Sequence, residues 1–283
     1  MKKRKLGKTG MRVSALGFGG SEIGYQSVAP PTVKKMLNSA LDAGFNVIDT
    51  AECYVSSEEL IGQALAGRRK EYYLFTKCGH FTGWGQPDWR PPSLLKSIER
   101  SLRRLKLKKG DVIEALKRAR ERGHARYIGY SGDGRDALYA IECGEFDTLQ
   151  TSVSLADQEA LELTLPLARE RNIGVIAKRP IANAAWKSGN RKPADSYAHP
   201  YWKRLRKLNY DFLHGKLSEA SAIALRFTLS VPGVHTAIVG TTKPKRIQEN
   251  AAILEAGPLP KDLFEKIRSR WHEVADGTWA GET

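Results

Sequence analysis

The chain has 283 residues, 41% of them hydrophobic, which suits one α/β barrel domain over residues 1–283, since such a barrel typically needs about 250. No apolar run approaches the roughly 20 residues of a membrane span, no signal-peptide core follows the basic start Met1-Lys2-Lys3-Arg4-Lys5, and the protein is read as cytoplasmic. The 46 Lys and Arg residues against 31 Asp and Glu give a formal charge of +15, which either attracts polyanions or reflects solvated helix faces. Cys53, Cys78 and Cys143 form no C-x-x-C pair, so neither a disulfide framework nor a metal site is expected.

Arg4 to Val13 reads as a hairpin turning at Thr9-Gly10, and Val13 to Gly20 as an apolar strand ending in glycines. A helix from about Thr32 to Ala43 places Val33, Met36, Leu37, Ala40 and Leu41 at helical spacing and stops at Gly44. Strands Phe45–Asp49 and Tyr72–Lys77 flank a helix from Ser56 to Ala66. A helix from Ser93 to Lys106 is followed by one from Asp111 to Arg122, and then by a strand from Arg126 to Ser131. After a short helix come a strand near Asp147–Gln150, a helix from about Asp157 to Arg171 and a strand from Ile173 to Lys178. A long polar stretch then runs to about Lys216. A helix to Leu229, a strand from Thr236 to Val239 and two helices complete the chain. This alternation implies a parallel sheet, closed as a barrel.

One joint breaks the pattern. Only Leu107-Lys108-Lys109-Gly110 separates two helices, and Asp111 with Glu114 forms a capping-box start for the second. A mean strand of about 5–6 residues does not fit there. The count is seven parallel strands where a closed barrel of this type has eight.

Asp49 ends one strand, Lys77 ends the next, and Tyr54 lies in the loop after Asp49. In a parallel barrel such positions converge at the C-terminal face, where active sites sit. A desolvated lysine calls for a carboxylate partner, and Asp49 is the natural one. The trio is either a structural ion pair with an incidental tyrosine or a proton-transfer site. In the second case the ammonium favours the phenolate of a group whose ordinary pKa is about 10, making it a usable acid or base. Near the other end, Gly240-Thr241-Thr242-Lys243-Pro244 joins a strand to a helix carrying Arg246, Glu249 and Asn250. That is either a capped helix with solvated charges or a phosphate site at a helix N-terminus.

Taken together, these segments resemble the aldo-keto reductases. Asp49-Thr50-Ala51-Glu52-Cys53-Tyr54, Ser57-Glu58 and Leu74-Phe75-Thr76-Lys77 resemble the family's core motif. Tyr127-Ile128-Gly129-Tyr130-Ser131 resembles its fifth strand, and the segment from Gly240 to Asn250 its cofactor-phosphate motif. The match spans almost the whole chain in the right order. The resemblance implies a (β/α)8 TIM barrel with an N-terminal β-hairpin, and NADPH-dependent reduction of an aldehyde or ketone. It makes Tyr54 the proton donor, Lys77 the residue that tunes it and Asp49 the holder of Lys77. Ser131 and Gln150 would hold the nicotinamide carboxamide. Gly240, Thr241, Thr242 and Lys243 would form the phosphate loop, with Arg246 on the 2′-phosphate and Glu249 and Asn250 on the adenine.

The chain also departs from that pattern. The family's fourth strand, which ends in a catalytic histidine, belongs at the helix–helix joint and is missing, as though deleted. His124 precedes the fifth strand and is no substitute, while His80, three residues past Lys77, is on the active-site side. Gly132 and Asp133 follow Ser131 where asparagine is usual, and Lys178-Arg179-Pro180 stands where an aromatic residue stacks on the nicotinamide. The loops carry Trp84, Trp89, Trp186, Tyr197, Tyr201, Trp202 and Trp279, which either bind an apolar or anionic carbonyl compound or pin the loops. Three readings follow: a carbonyl reductase, an NADPH-binding pseudoenzyme with little turnover, and a basic nucleic-acid-binding protein for which no motif is present.

Overall fold

A computed structural model describes residues 1–80, 91–105 and 125–281. The joint Leu107–Gly110, the helix expected from Asp111 to Arg122, His124, Trp84 and Trp89 lie outside the described residues. Nine strands are described. Strands β1 (Lys3–Lys5) and β2 (Arg12–Ser14) pair as the N-terminal hairpin. The other seven form one sheet: β3 (Leu16–Gly19), β4 (Val47–Asp49), β5 (Tyr73–Phe75), β6 (Gly129–Ser131), β7 (Thr148–Ser152), β8 (Gly174–Lys178) and β9 (Thr236–Gly240). Their order is β5-β4-β3-β9-β8-β7-β6, so the described residues hold seven sheet strands, and the joint where an eighth was expected to be missing lies outside them.

The chain divides into two compact units. The first holds residues 1–4, 12–128 and 238–251, and so contains β3, β4, β5 and the end of β9. Its strands β3, β4 and β5 run parallel, in a register that sets Gly19 opposite Asp49 and Asp49 opposite Phe75. Val47 and Ile48 are completely buried, as are Val33, Met36 and Leu37 of helix α2 (Pro30–Asp42). Helix α2 opens on Pro30, where a missing N–H costs nothing. Gly44, at φ +85°, turns the chain beyond it toward β4, a conformation that glycine adopts without strain. Two further helices in this unit matter to the site: α1 (Ser21–Tyr25), which the sequence did not suggest, and α3 (Ser57–Ala64). Helix α4 (Pro91–Arg104) completes the set.

The second unit holds residues 5–11, 129–237 and 252–283. Strands β6, β7, β8 and the start of β9 are parallel, with Ser131 opposite Gln150 and Ser152 opposite Lys178. The hairpin tip belongs here. Gly7 packs against the backbone of Ile173 and Gly174 so closely that a Cβ would lie 2.2 Å from Gly174 N.

Two expectations are corrected in this unit. The single helix from Asp157 to Arg171 is two, α6 (Ala160–Leu163) and α7 (Leu165–Glu170), after α5 (Gly134–Glu142). Pro166 has no N–H to donate to the preceding turn, and the backbone breaks at Thr164. The long polar stretch contains α8 (His199–Leu208), whose buried face is Tyr201, Arg204, Leu205 and Leu208. Helices α9 (Leu217–Ser230) and α11 (Lys261–Val274) belong to this unit, and α10 (Pro244–Ile253) mostly to the first. No helix among the described residues is long and apolar enough to cross a membrane.

Candidate active site

Strand β4 delivers Asp49 to the C-terminal edge of the first unit's sheet. Lys77 lies two residues beyond the last residue of β5, but the pairing continues: Thr50 N–H donates to Phe75 O at 2.8 Å and Glu52 N–H to Lys77 O at 3.1 Å. This extension fixes the backbone on both sides of the pair. Lys77 Nζ donates to Asp49 Oδ2 at 2.7 Å and to Thr50 O at 2.8 Å. Asp49 is 1% exposed, so the ammonium faces a carboxylate that water does not screen.

Tyr54 completes the trio. Lys77 Nζ stands 5.2 Å from the centroid of its ring. The loop that carries Tyr54 is held by Tyr54 N–H to Ala51 O and Ser57 N–H to Tyr54 O. Gly24 of α1 lies against the Tyr54 carbonyl, where a Cβ would come within 1.9 Å of the oxygen, and Tyr25 packs its ring 5.8 Å from that of Tyr54. Burial works against the Lys77 ammonium, but Asp49, the Tyr54 phenol and Cys53 together hold its pKa above the ordinary lysine value. The structure thus brings together the three residues that the sequence offered either as a structural ion pair or as a proton-transfer site.

Behind this trio lies a second ionic network, one with no signal in the local sequence pattern. Glu52, 2% exposed, is bonded by Ser97 Oγ and Arg100 Nε from α4. Arg104 spans Glu52 O at 3.2 Å, Glu58 Oε2 at 3.4 Å and Glu59 Oε1 at 2.9 Å, while Thr76 Oγ1 donates to Glu58 Oε1 at 2.7 Å. Burial raises the Glu58 carboxyl despite Ser101, Thr76 and Arg104. These contacts clamp both flanks of the Tyr54 loop to one helix. Glu58 and Thr76 were visible in the motif, but Arg104 lies 46 residues beyond Glu58 and carries no spacing signal.

The cofactor-phosphate candidates Gly240, Thr241, Thr242, Lys243, Arg246, Glu249 and Asn250 also belong to the first unit. Gly240 ends β9, and Gly19 of β3 lies beside it, with a Cβ there 3.2 Å from Gly240 N. Thr241 Oγ1 accepts from Lys243 N–H at 3.1 Å, and Arg246 N–H donates to Lys243 O at 3.0 Å, starting α10. Lys243 is exposed. The Arg246 guanidinium, 42% exposed, bonds Glu249 Oε2 at 2.8 Å. Two cations, two threonine hydroxyls and the first N–H groups of a ten-residue helix are a donor set that fits a phosphate.

Ser131 and Gln150 lie in the second unit, paired in register, with Gly132 N–H donating to Gln150 O at 3.1 Å. Next to them is a cluster around Asp133, one of the positions where the sequence departs from the family pattern. Asp133 accepts from Thr151 Oγ1 at 2.7 Å, Ser152 N–H at 2.6 Å and Ser152 Oγ at 3.0 Å. It also pairs with Lys178 Nζ at 2.8 Å and Arg179 Nη1 at 3.8 Å. Arg204 of α8 pairs with buried Asp157, whose carboxyl burial raises to about 7 in spite of that cation. Of the loop aromatics of this unit, Tyr201 is fully buried and Trp279 packs 5.2 Å from Trp271, whereas Tyr197 is exposed.

Known proteins point the same way. The model of the Aldo/keto reductase family matches residues 15–272. L-galactose dehydrogenase of Arabidopsis thaliana is 27% identical over 98% of the chain and 96% of its own length. The oxidoreductase YqkF of Bacillus subtilis is 27% identical over 95% and 96%. The holo form of aldo-keto reductase AKR11C1 from Bacillus halodurans shares the fold at a TM-score of 0.82, with 24% identity over 99% of both chains. PA4992 of Pseudomonas aeruginosa aligns at a TM-score of 0.68, with 26% identity over 89% of this chain and 93% of its own. The fold is of the (β/α)8 type, and the chain belongs to the aldo/keto reductase family of oxidoreductases.

Proposed function

We propose that the protein catalyses NADPH-dependent interconversion of an aldehyde or ketone with its alcohol, with Tyr54 as the acid. The observation that carries this reading is the Lys77 ammonium, bonded to Asp49 at 2.7 Å and 5.2 Å from the Tyr54 ring. Tyr54 holds a proton at Oη and delivers it to a carbonyl oxygen. Lys77 stays charged because Asp49 compensates it. The attraction between the ammonium and a phenolate that raises the Lys77 pKa acts equally to favour release of the Tyr54 proton. A nicotinamide cofactor, when bound, supplies or accepts the hydride.

Lys243, Arg246, Thr241, Thr242 and the start of α10 hold the cofactor's phosphate in this reading, with Gly240 admitting the loop and Glu249 and Asn250 serving the adenine. Ser131 and Gln150, side by side, offer the hydroxyl and amide groups that a carboxamide needs. The relative named as an L-galactose dehydrogenase makes alcohol oxidation the direction to assay beside carbonyl reduction. The family match over residues 15–272 supports one functional domain.

The test is Tyr54→Phe, which removes the proton and keeps the ring. NADPH binding stays within about twofold and turnover falls by roughly 10²–10⁴. Turnover equal to that of the unmodified protein would remove Tyr54 from the chemistry.

A further inference from the structure

Helix α1 places its second residue against the end of β9. A Cβ on Gly240 would lie 1.8 Å from Glu22 Oε2, 2.4 Å from Oε1 and 2.2 Å from Cδ. The carboxylate therefore rests where any other residue at 240 would carry its side chain. Glycine is needed here for that close approach. Its φ is not positive, so backbone conformation does not require it. Ser21 Oγ donates to Glu22 Oε2 at 2.7 Å, and no cation pairs with Glu22 among the described residues.

Gly240 is the first residue of the loop assigned above to the cofactor's phosphates. The other charged members of that loop and of the first turn of α10 are the cations Lys243, Lys245 and Arg246. A fixed carboxylate at its head acts in the opposite sense. Glu22 is half-buried, so its field reaches the loop with less screening than a fully solvated charge would suffer.

We propose that Glu22 is a specificity-determining residue that opposes the cofactor's phosphates at the Gly240 loop and weakens NADPH more than NADH. The inference rests on the cofactor reading of this loop. NADPH suffers more because its 2′-phosphate adds negative charge to the shared diphosphate. Glu22 and Arg246 then pull in opposite directions on one ligand. The cofactor preference is set by their balance and not by Arg246 alone.

Glu22→Gln removes the charge while retaining the shape and a partner for Ser21. Binding is measured by quenching of tryptophan fluorescence and by calorimetry, with no turnover required. With one like charge removed beside the loop in a mostly aqueous dielectric, the NADPH Kd falls by about two- to fivefold at low salt and the NADH Kd by less. The gain shrinks at high salt. Unchanged or weaker NADPH binding by Glu22→Gln overturns the proposal, as does an equal gain for both cofactors. Arg246→Ala separates it from the reading beneath it. If NADPH binds the unmodified protein and Arg246→Ala weakens it while Glu22→Gln does nothing, Glu22 alone is refuted. If NADPH binds neither the unmodified protein nor Glu22→Gln, both readings fall.

Discussion

At the end of β5, one ammonium meets one carboxylate. Lys77 bonds Asp49 and a backbone carbonyl, and its charge also faces the ring of Tyr54. At the end of β8, in the other unit, Asp133 collects two hydroxyls, one backbone N–H, Lys178 and Arg179. There the tyrosine is a hydrogen-bond acceptor: Arg179 Nε donates to Tyr197 Oη at 2.6 Å. A guanidinium does not give up its proton near neutral pH, so this phenol has no proton-exchanging neighbour in Arg179. Burial moreover pushes the Tyr197 phenol up in spite of Arg179. Lysine, aspartate and tyrosine thus occur in both clusters. What differs is that a guanidinium hydrogen bond holds the Tyr197 oxygen and burial there outweighs the pull of the cation.

The largest effect that separates the two clusters is on chemistry. Lys77→Met leaves Tyr54 in its loop without the ammonium, and turnover per folded molecule falls by about 10²–10⁴. Steady-state rates with NADPH, normalised to the cooperatively melting fraction, measure it; a loss under threefold would place Lys77 in a purely structural role. The second effect is on stability. Asp133→Asn strips the charge partner from Lys178 and Arg179, and breaking a buried pair costs about 3–5 kcal/mol. Denaturant midpoints report it, and a shift worth under about 1 kcal/mol would mean that the cluster is effectively solvated. Tyr197→Phe is smaller, about 1 kcal/mol for one hydrogen bond, with turnover of the folded protein retained. Should Tyr197→Phe abolish turnover as Tyr54→Phe is expected to, the two clusters do not differ in chemistry.

The first cluster was legible in the sequence and the second was not, for physical reasons. Asp49 closes one apolar strand, Lys77 follows the next by two residues, and Tyr54 is five residues from Asp49. Their meeting follows from strand parallelism alone. Asp133, by contrast, is recognisable only through Thr151, Ser152, Lys178 and Arg179, which reach it across three strand ends. Helix α8 escaped notice because its sequence, His199-Pro200-Tyr201-Trp202-Lys203-Arg204-Arg206-Lys207 around Leu205, looks solvated, whereas Arg204 is buried against Asp157. Long-range ion pairs override composition in this way. The break at Thr164 could have been read from Pro166. Glu22 could not: nothing local says that its carboxylate will rest on Gly240.

The smallest prediction concerns pH, where the two clusters set opposite limits. The Lys77 pKa in the folded chain is raised above its ordinary 10.5. Its stabilisation is therefore complete below 10.5 and is lost as pH rises through the folded value. Although burial pushes the Asp133 carboxyl up, Lys178, Ser152 and Thr151 hold it below its ordinary 3.8. Its stabilisation is therefore present above 3.8 and is lost as pH falls through the lowered value. One group contributes at most about 1.4 kcal/mol per pH unit, so both slopes are shallow. Melting temperatures measured from pH 2.5 to 11.5 resolve them. Lys77→Met flattens the alkaline limb and leaves the acid limb as it was, while Asp133→Asn does the reverse. If either variant flattens both limbs, the two clusters unfold as a coupled whole, and the separate pH limits assigned to them do not exist.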